Sequence, residues 1–232
     1  MLKICCWNVL ADCYGYEYFD PCPSELRWRI ICLRLLQDEI DIFCLQEADF
    51  HDEFMSSFFN NNGYNTIYLR RPGRLDGCVI GFKRHRIKLL RSYNINFDDI
   101  ASDHPARIKQ KFLRQNCGII AYLSLVDEPE VKFWVTTCHL YWNPNYPEVK
   151  RAQALYLLSW LESLRRKGDP VIMAGDFNSL PTSEVYQIIT TGRMEGATLP
   201  GNDSKPKFIC DASLNRLCRL VYDQVAIHNI SW

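Results

Sequence analysis

The chain has 232 residues, 47% of them hydrophobic, and its 27 basic side chains are matched by 27 acidic ones. That is the composition of a soluble globular protein long enough to bury a real core. No apolar run approaches the roughly 20 residues that cross a bilayer, and no basic segment followed by an apolar one opens the chain. A membrane span and an export signal are therefore not expected, and a cytoplasmic or also nuclear location is.

The cysteine pattern agrees. Eleven is an odd number, and Cys5, Cys44, Cys78, Cys117 and Cys138 lie inside apolar, strand-like runs, so buried reduced thiols are expected. No Cys-x-x-Cys pair exists, which argues against a zinc module. Charge is balanced overall but not locally. Residues 1–69 carry 4 basic and 11 acidic side chains, residues 70–114 carry 12 and 4, and residues 115–232 carry 11 and 12. The basic middle fits either a polyanionic partner or a solvated surface.

In chain order, Leu2 to Trp7 reads as a strand that delivers Asn8. From Ser24, a candidate helix N-cap, Leu26, Ile30, Leu33 and Leu36 recur at helical spacing and predict an amphipathic helix lying on a sheet. Asp41 to Leu45 is a short strand ending in Gln46 and Glu47. Strand, helix, strand makes a βαβ-like unit, with Glu47 emerging beside Asn8 either as a surface charge or as a metal ligand. Residues 49–59 read as a second helix and 64–69 as a strand. The basic turn Arg70 to Arg74 leads into strands at 77–83 and 87–95, for which hairpin pairing is expected. Residues 98–114 are polar and basic, a loop or short helix.

Residues 117–126 and 131–138 predict another hairpin, turning at Asp127 to Glu130. Its second strand ends at His139, which fits a hydrogen-bonded core residue or a catalyst. An aromatic and proline loop, Tyr141 to Pro147, precedes a helix over 148–167. Ala154, Leu157, Leu158 and Leu161 face its core side. Lys150 and Arg151 stand in its first turn, where cations oppose the helix dipole unless an anion is near; otherwise they are simply solvated. Val171 to Ala174 is a buried strand ending in Gly175-Asp176-Phe177-Asn178. Ligands of open α/β sheets gather at strand ends, so Asp176 and Asn178 can reach one phosphate or metal. The alternative is an Asx-turn before the helix at 183–191.

Taken together, Trp7-Asn8-Val-Leu-Ala-Asp12, Leu45-Gln46-Glu47, Asp76-Gly77-Cys78, His139-Leu-Tyr-Trp-Asn-Pro144 and Gly175-Asp176-Phe-Asn178-Ser-Leu-Pro181 resemble the endonuclease/exonuclease/phosphatase superfamily, in its order. Pro147 to Gln153 and Ser183 to Tyr186 fit its deadenylase branch of carbon catabolite repression nucleases, nocturnin and angel proteins. The resemblance covers residues 1–195. It implies an α/β fold, a two-sheet, four-layer sandwich with helices outside, followed by a divergent tail at 196–232. The activity it implies is that of a magnesium-dependent phosphodiesterase, with manganese as alternative ion, resembling a poly(A)-specific 3′ exoribonuclease that acts on adenine-rich single-stranded RNA in mRNA decay. No protein partner is indicated.

By the same resemblance Glu47 binds the metal, and Asn8 helps to hold the metal or the phosphate. His139 donates to the scissile phosphate, while Asp176 and Asn178 orient the attacking water and contact the nucleotide. Pro144 packs on an adenine base, flanked by Asn143 and Trp142 as further substrate-binding residues. Asn143 stands where many members carry Asp, which puts a charged role there in doubt.

Two family elements do not follow Pro181: a strand with an Asp-Tyr-Ile-like motif and a Ser-Asp-His. Ser102-Asp103-His104 matches the second but precedes the Gly-Asp-x-Asn strand. The expectation is a chain truncated or divergent at its C-terminus, with an open sheet edge. Two rival functions follow, a catalytically weak RNA-binding or regulatory module and a phosphatase for a small nucleotide or lipid head group. The tail around Asp211 weakly resembles the opening of PIN-like RNase domains, or is a stabilising segment.

Overall fold

The computed structural model describes residues 1–15 and 24–191, and the backbone of 218–221 and 225–230. Two strands show how the layers arise. Strand β1 (Leu2–Asn8) and strand β2 (Ile42–Ala48) are parallel, in register from Ile4 with Ile42 to Asn8 with Gln46. Side chains alternate across a strand, so Leu2, Ile4, Cys6, Ile42 and Cys44 enter one core while Cys5, Phe43 and Leu45 enter another. The helix joining them, α2 (Ser24–Gln37), covers the second of these faces. A single turn, α1 (Asp12–Gly15), precedes it.

The first sheet is completed by β3 (Tyr64–Arg70), β4 (Gly77–Lys83) and β10 (Val225–Ile230), in the order β10-β1-β2-β4-β3. The second contains β5 (Ile87–Asn96), β6 (Cys117–Leu125), β7 (Lys132–Cys138), β8 (Val171–Ala174) and β9 (Cys218–Val221), in that order. Between the sheets, Ile42, Ile80 and Phe82 of one meet Ile119, Leu123 and Val135 of the other. Outside the first sheet lie α2 and α3 (Ser56–Asn61). Outside the second lie α5 (Pro147–Leu164) and α6 (Glu184–Thr191), whose Leu157, Leu161 and Ile188 pack with Ile120, Trp134 and Met173. Helix, sheet, sheet, helix is the four-layer sandwich expected. Gly81 makes one contact possible: a Cβ there would sit 1.9 Å from the Phe43 ring.

The structure corrects three readings. Helix α2 buries Trp28, Ile31, Cys32 and Leu35, leaving Leu26 50%, Ile30 57% and Leu33 47% exposed. Both stripes have helical spacing, and the one holding the tryptophan faces the sheet. Strands β4 and β5 form no hairpin, because β4 already has β2 and β3 on its two edges; the chain turns after Lys83 and enters the second sheet. Residues 49–59 are a π-type turn at His51–Met55 followed by α3, not one helix. Beyond β1 and β8 lie β10 and β9, which are the edge strands on those sides of the two sheets. Asp211 lies outside the described residues. The polar stretch expected as a loop or short helix over 98–114 holds a 3-10 turn (Phe97–Asp103) and helix α4 (Ala106–Phe112).

Candidate active site

The strand tips of the two sheets meet at one rim. Asn8 ends β1, Glu47 lies near the end of β2, His139 follows β7 and Asp176 follows β8 by one glycine. The amide of Asn8 donates to Glu47 Oε1 and to Asp176 Oδ2, both at 2.8 Å, so one NH2 group joins a carboxylate from each sheet. His139 Nε2 stands 3.9 Å from that Glu47 oxygen and 3.8 Å from that Asp176 oxygen. His139 Nδ1 is buried, with no hydrogen-bond partner among the described residues.

Backbone strain concentrates here. Glu47 has φ +59° and sits in a β-bulge between Leu45 and Ala48; Asn178 has φ +47° and Leu10 has φ +54°. Positive φ costs a non-glycine residue roughly 1 kcal/mol or more, and such residues persist where surrounding contacts hold them. Those contacts are visible. The second Glu47 oxygen accepts the Ala11 amide at 3.1 Å, and Asn8 Oδ1 accepts the Leu10 amide at 3.0 Å. Arg27 reaches from α2 to the carbonyls of Val9 and Leu10 and pairs with Asp12.

On the second sheet, the Asp176 amide donates to the Cys138 carbonyl and the Leu140 amide to the Asp176 carbonyl, each at 2.9 Å, locking His139 beside Asp176. Gly175 allows the approach: its φ is +149°, and a Cβ would lie 2.5 Å from the Cys138 carbonyl oxygen. Its amide donates at 3.2 Å to Cys6 Sγ on the opposite sheet. Burial pushes the Cys6 thiol up to about 12, so it stays protonated.

Asp176 Oδ1 accepts the Asn178 amide at 2.9 Å, the Asx-turn anticipated from sequence, while Oδ2 serves Asn8. The turn therefore uses one carboxylate oxygen, and the other faces Asn8. Asn178 donates its own NH2 to the Leu140 carbonyl at 2.9 Å, which leaves Oδ1 as its open polar atom among the described residues. Its carbonyl accepts from Lys150 Nζ at 2.7 Å. Burial pulls the Lys150 ammonium below its ordinary value, with the charge of Asp176 opposing. The out-of-place cation in the first turn of α5 thus has its anion and its carbonyl.

Trp142, Asn143 and Pro144 lie on the loop after His139 and make no described contact with Asn8, Glu47 or Asp176. Trp142 is 65% exposed, and Asn143 Oδ1 accepts the Asn145 amide at 2.9 Å within its own turn. The Ser102 to His104 segment turns on itself: Ser102 Oγ donates to the Asp99 carbonyl at 2.6 Å, and His104 stacks on Phe112. Sequence reading missed Asn116 and Gln153. Asn116 donates to the His139 carbonyl at 2.9 Å, and Gln153 donates to Asn116 and accepts from the Tyr141 amide. A lone amide before a strand or within a helix carries no signal for such a role. Among the described residues no three His, Cys, Asp or Glu side chains surround one point.

A family model described as the Endonuclease/Exonuclease/phosphatase family matches residues 5–214. The chain belongs to this family. Its Glu47, His139 and Asp176 stand on the strand tips of a two-sheet sandwich whose likeness to solved members is close. The catalytic domain of human nocturnin with bound sulfate superposes with a TM-score of 0.69 at 26% identity, covering 82% of this chain and 69% of nocturnin's. ANGEL2, a 2′,3′-cyclic phosphatase, gives 0.68 at 26%, covering 82% and 56%.

Relatives in sequence include the carbon catabolite repressor protein 4 homolog 4 of Arabidopsis thaliana, 29% identical over 232 residues. Another is the CCR4-Not complex 3′-5′-exoribonuclease subunit Ccr4 of Saccharomyces cerevisiae, 27% identical over 224. Each match covers 82% of this chain, which spans 56% of the first relative and 27% of the second. Family members of this kind are hydrolytic nucleases and phosphatases. No helix among the described residues is long and apolar enough to cross a membrane.

Proposed function

We propose that this chain is a divalent-metal-dependent phosphodiesterase that shortens adenine-rich single-stranded RNA from its 3′ end. The observation that carries the reading is the Asn8 amide bridging Glu47 and Asp176, with His139 Nε2 within 4 Å of both carboxylates. Two half-sites from two sheets then face one small volume, and the exoribonuclease likeness supplies the substrate class.

The donors fit magnesium, and manganese next. It prefers hard oxygen ligands and takes one or two carboxylates while keeping several waters, so a site without three clustered ligands suits it. Glu47 would hold the ion, with Asn8 at its edge; the ion supplies charge neutralisation on the phosphoryl oxygens. The rest falls to this chain's own residues. His139 donates from Nε2 to a non-bridging oxygen of the scissile phosphate. Asp176, fixed by two amides, accepts from the attacking water and orients it. Asn178 Oδ1 accepts from the terminal nucleotide, and Trp142 and Pro144 offer flat surfaces to a base, with Asn143 beside them.

The test is incubation with 5′-labelled oligo(A) RNA and magnesium. A ladder shortening from the 3′ end, abolished in Glu47→Gln and Asp176→Asn, is the expected result; RNA left intact with magnesium and with manganese refutes the proposal. A second reading rests on the likeness to ANGEL2. If an RNA ending in a 2′,3′-cyclic phosphate is opened while oligo(A) is untouched, the chain is a phosphatase. Binding without any turnover identifies an RNA-binding module.

A further inference from the structure

Resting on the RNA reading above, we infer that α4 and the segment after it form a phosphate track along which the body of the strand lies on its way to His139. Arg107 and Lys109 are exposed and have no carboxylate partner among the described residues. Three other surface arginines are paired, Arg29 with Glu25, Arg34 with Asp38 and Arg151 with Glu184. The charge on α4 is therefore available to a ligand.

The track is continuous with the site. Lys111 pairs with Glu148 and ties α4 to α5. Arg114 follows, its guanidinium 4.7 Å from the Tyr141 ring centre and 5.0 Å from that of Tyr146, a cation held at the loop that exposes Trp142. Arg74 reaches over from the β3–β4 turn but binds only the neutral Gln115 Oε1, at 2.8 Å, so its charge is also unspent. Two residues beyond Arg114, Asn116 holds the His139 carbonyl. One run of chain thus carries the cations and positions the histidine.

The surface beside α1 carries the opposite charge. A cavity of about 310 Å³ beside α1 is lined by Asp12, Asp49, Asp52 and Glu53, with Arg70 as its one cation. A phosphodiester chain is repelled there and attracted to α4, so it approaches the rim from one side and ends in the site.

Binding of oligo(A) to the full chain is measured in EDTA, by fluorescence anisotropy across a salt series, for a 12-mer and a 3-mer. The expected result for Arg107→Gln/Lys109→Gln is an affinity for the 12-mer about tenfold lower, with a slope of log affinity against log salt shallower by about 1.4, or 0.7 per lost single-strand contact. The 3-mer affinity and the thermal midpoint stay at wild-type values, and Arg107→Lys/Lys109→Arg restores the slope. Unchanged 12-mer affinity and slope in the Gln variant overturn the track, whatever the cleavage result. Cleavage of oligo(A) by wild type with magnesium judges the nuclease reading separately.

Discussion

Gln46 Nε2 donates to the Thr137 hydroxyl at 2.9 Å across the interior between the two sheets. Gln46 precedes Glu47 on β2, and Thr137 lies two residues before His139 on β7. Both are almost wholly buried, and Cys6 to Gly175 makes a parallel link one strand away. These polar stitches, with weaker thiol bonds such as Cys44 to the Thr136 carbonyl, fix the distance between the half-sites.

Thr137→Val keeps the shape and removes the acceptor, leaving a Gln46 N–H unsatisfied at about 1–3 kcal/mol. Urea denaturation should show that loss, and kcat on oligo(A) should fall about tenfold with KM unchanged. Thr137→Ser should recover both. In a double-mutant cycle Gln46→Met/Thr137→Val should cost less than the sum of its singles; strict additivity would show that the two residues act independently.

Asn8 spends both N–H groups on carboxylates, so Asn8→Asp places a third anion between Glu47 and Asp176. In EDTA its stability should drop by roughly 2–4 kcal/mol through like-charge crowding. Magnesium at a hundredfold excess over its dissociation constant should return about 2.7 kcal/mol. Thermal melts with and without magnesium read both effects, and a midpoint indifferent to magnesium in variant and wild type alike would remove the ion from this site.

At the opposite end of the first sheet, Asp41 is 3% exposed and bonds the Lys3 amide, Lys83 and Arg86. Burial works against its charge, but the three donors together hold its carboxyl below the ordinary 3.8. A depressed carboxylate contributes stability above its unfolded pKa and loses it as pH falls through the folded one. The gap between wild type and Asp41→Asn, roughly 2 kcal/mol at pH 7 from charge-assisted hydrogen bonds, should close below about pH 4. A gap constant from pH 6 to pH 2 would mean the charge contributes nothing.

The strand tips were readable because each apolar run ends abruptly in a polar residue, and in a sandwich of this kind those ends share a rim. That Asn8, Glu47, His139 and Asp176 stand at strand ends was legible from that; the roles expected of them came from the family resemblance. The buried face of α2 was not readable, since Leu26, Ile30 and Leu33 repeat with the same period as Trp28, Ile31 and Leu35. Nor was the move from β4 into the second sheet, which depends on β4 having both edges occupied. Asn116 and Gln153 matter only through partners distant in sequence, so no local pattern marks them.

Lys150 is the buried cation beneath this rim, 8% exposed, and its bond to the Asn178 carbonyl helps hold that residue at positive φ. Lys150→Met keeps the apolar stem and removes the ammonium with its desolvation cost, so the net change in stability at pH 7 should stay within about 1 kcal/mol. Activity should suffer more, about tenfold in kcat, because Asn178 and the Asx-turn on Asp176 lose an anchor. The pH dependence separates the two roles. Burial lowers the Lys150 pKa from 10.5, so between its folded and unfolded values the unfolded chain binds more protons and stability rises with pH. Measured by denaturation from pH 7 upward to about 10.5, the stability of wild type relative to Lys150→Met should be flat at first and then increase. A relative stability that falls over that interval would mean the folded state favours the charged amine, contrary to its burial.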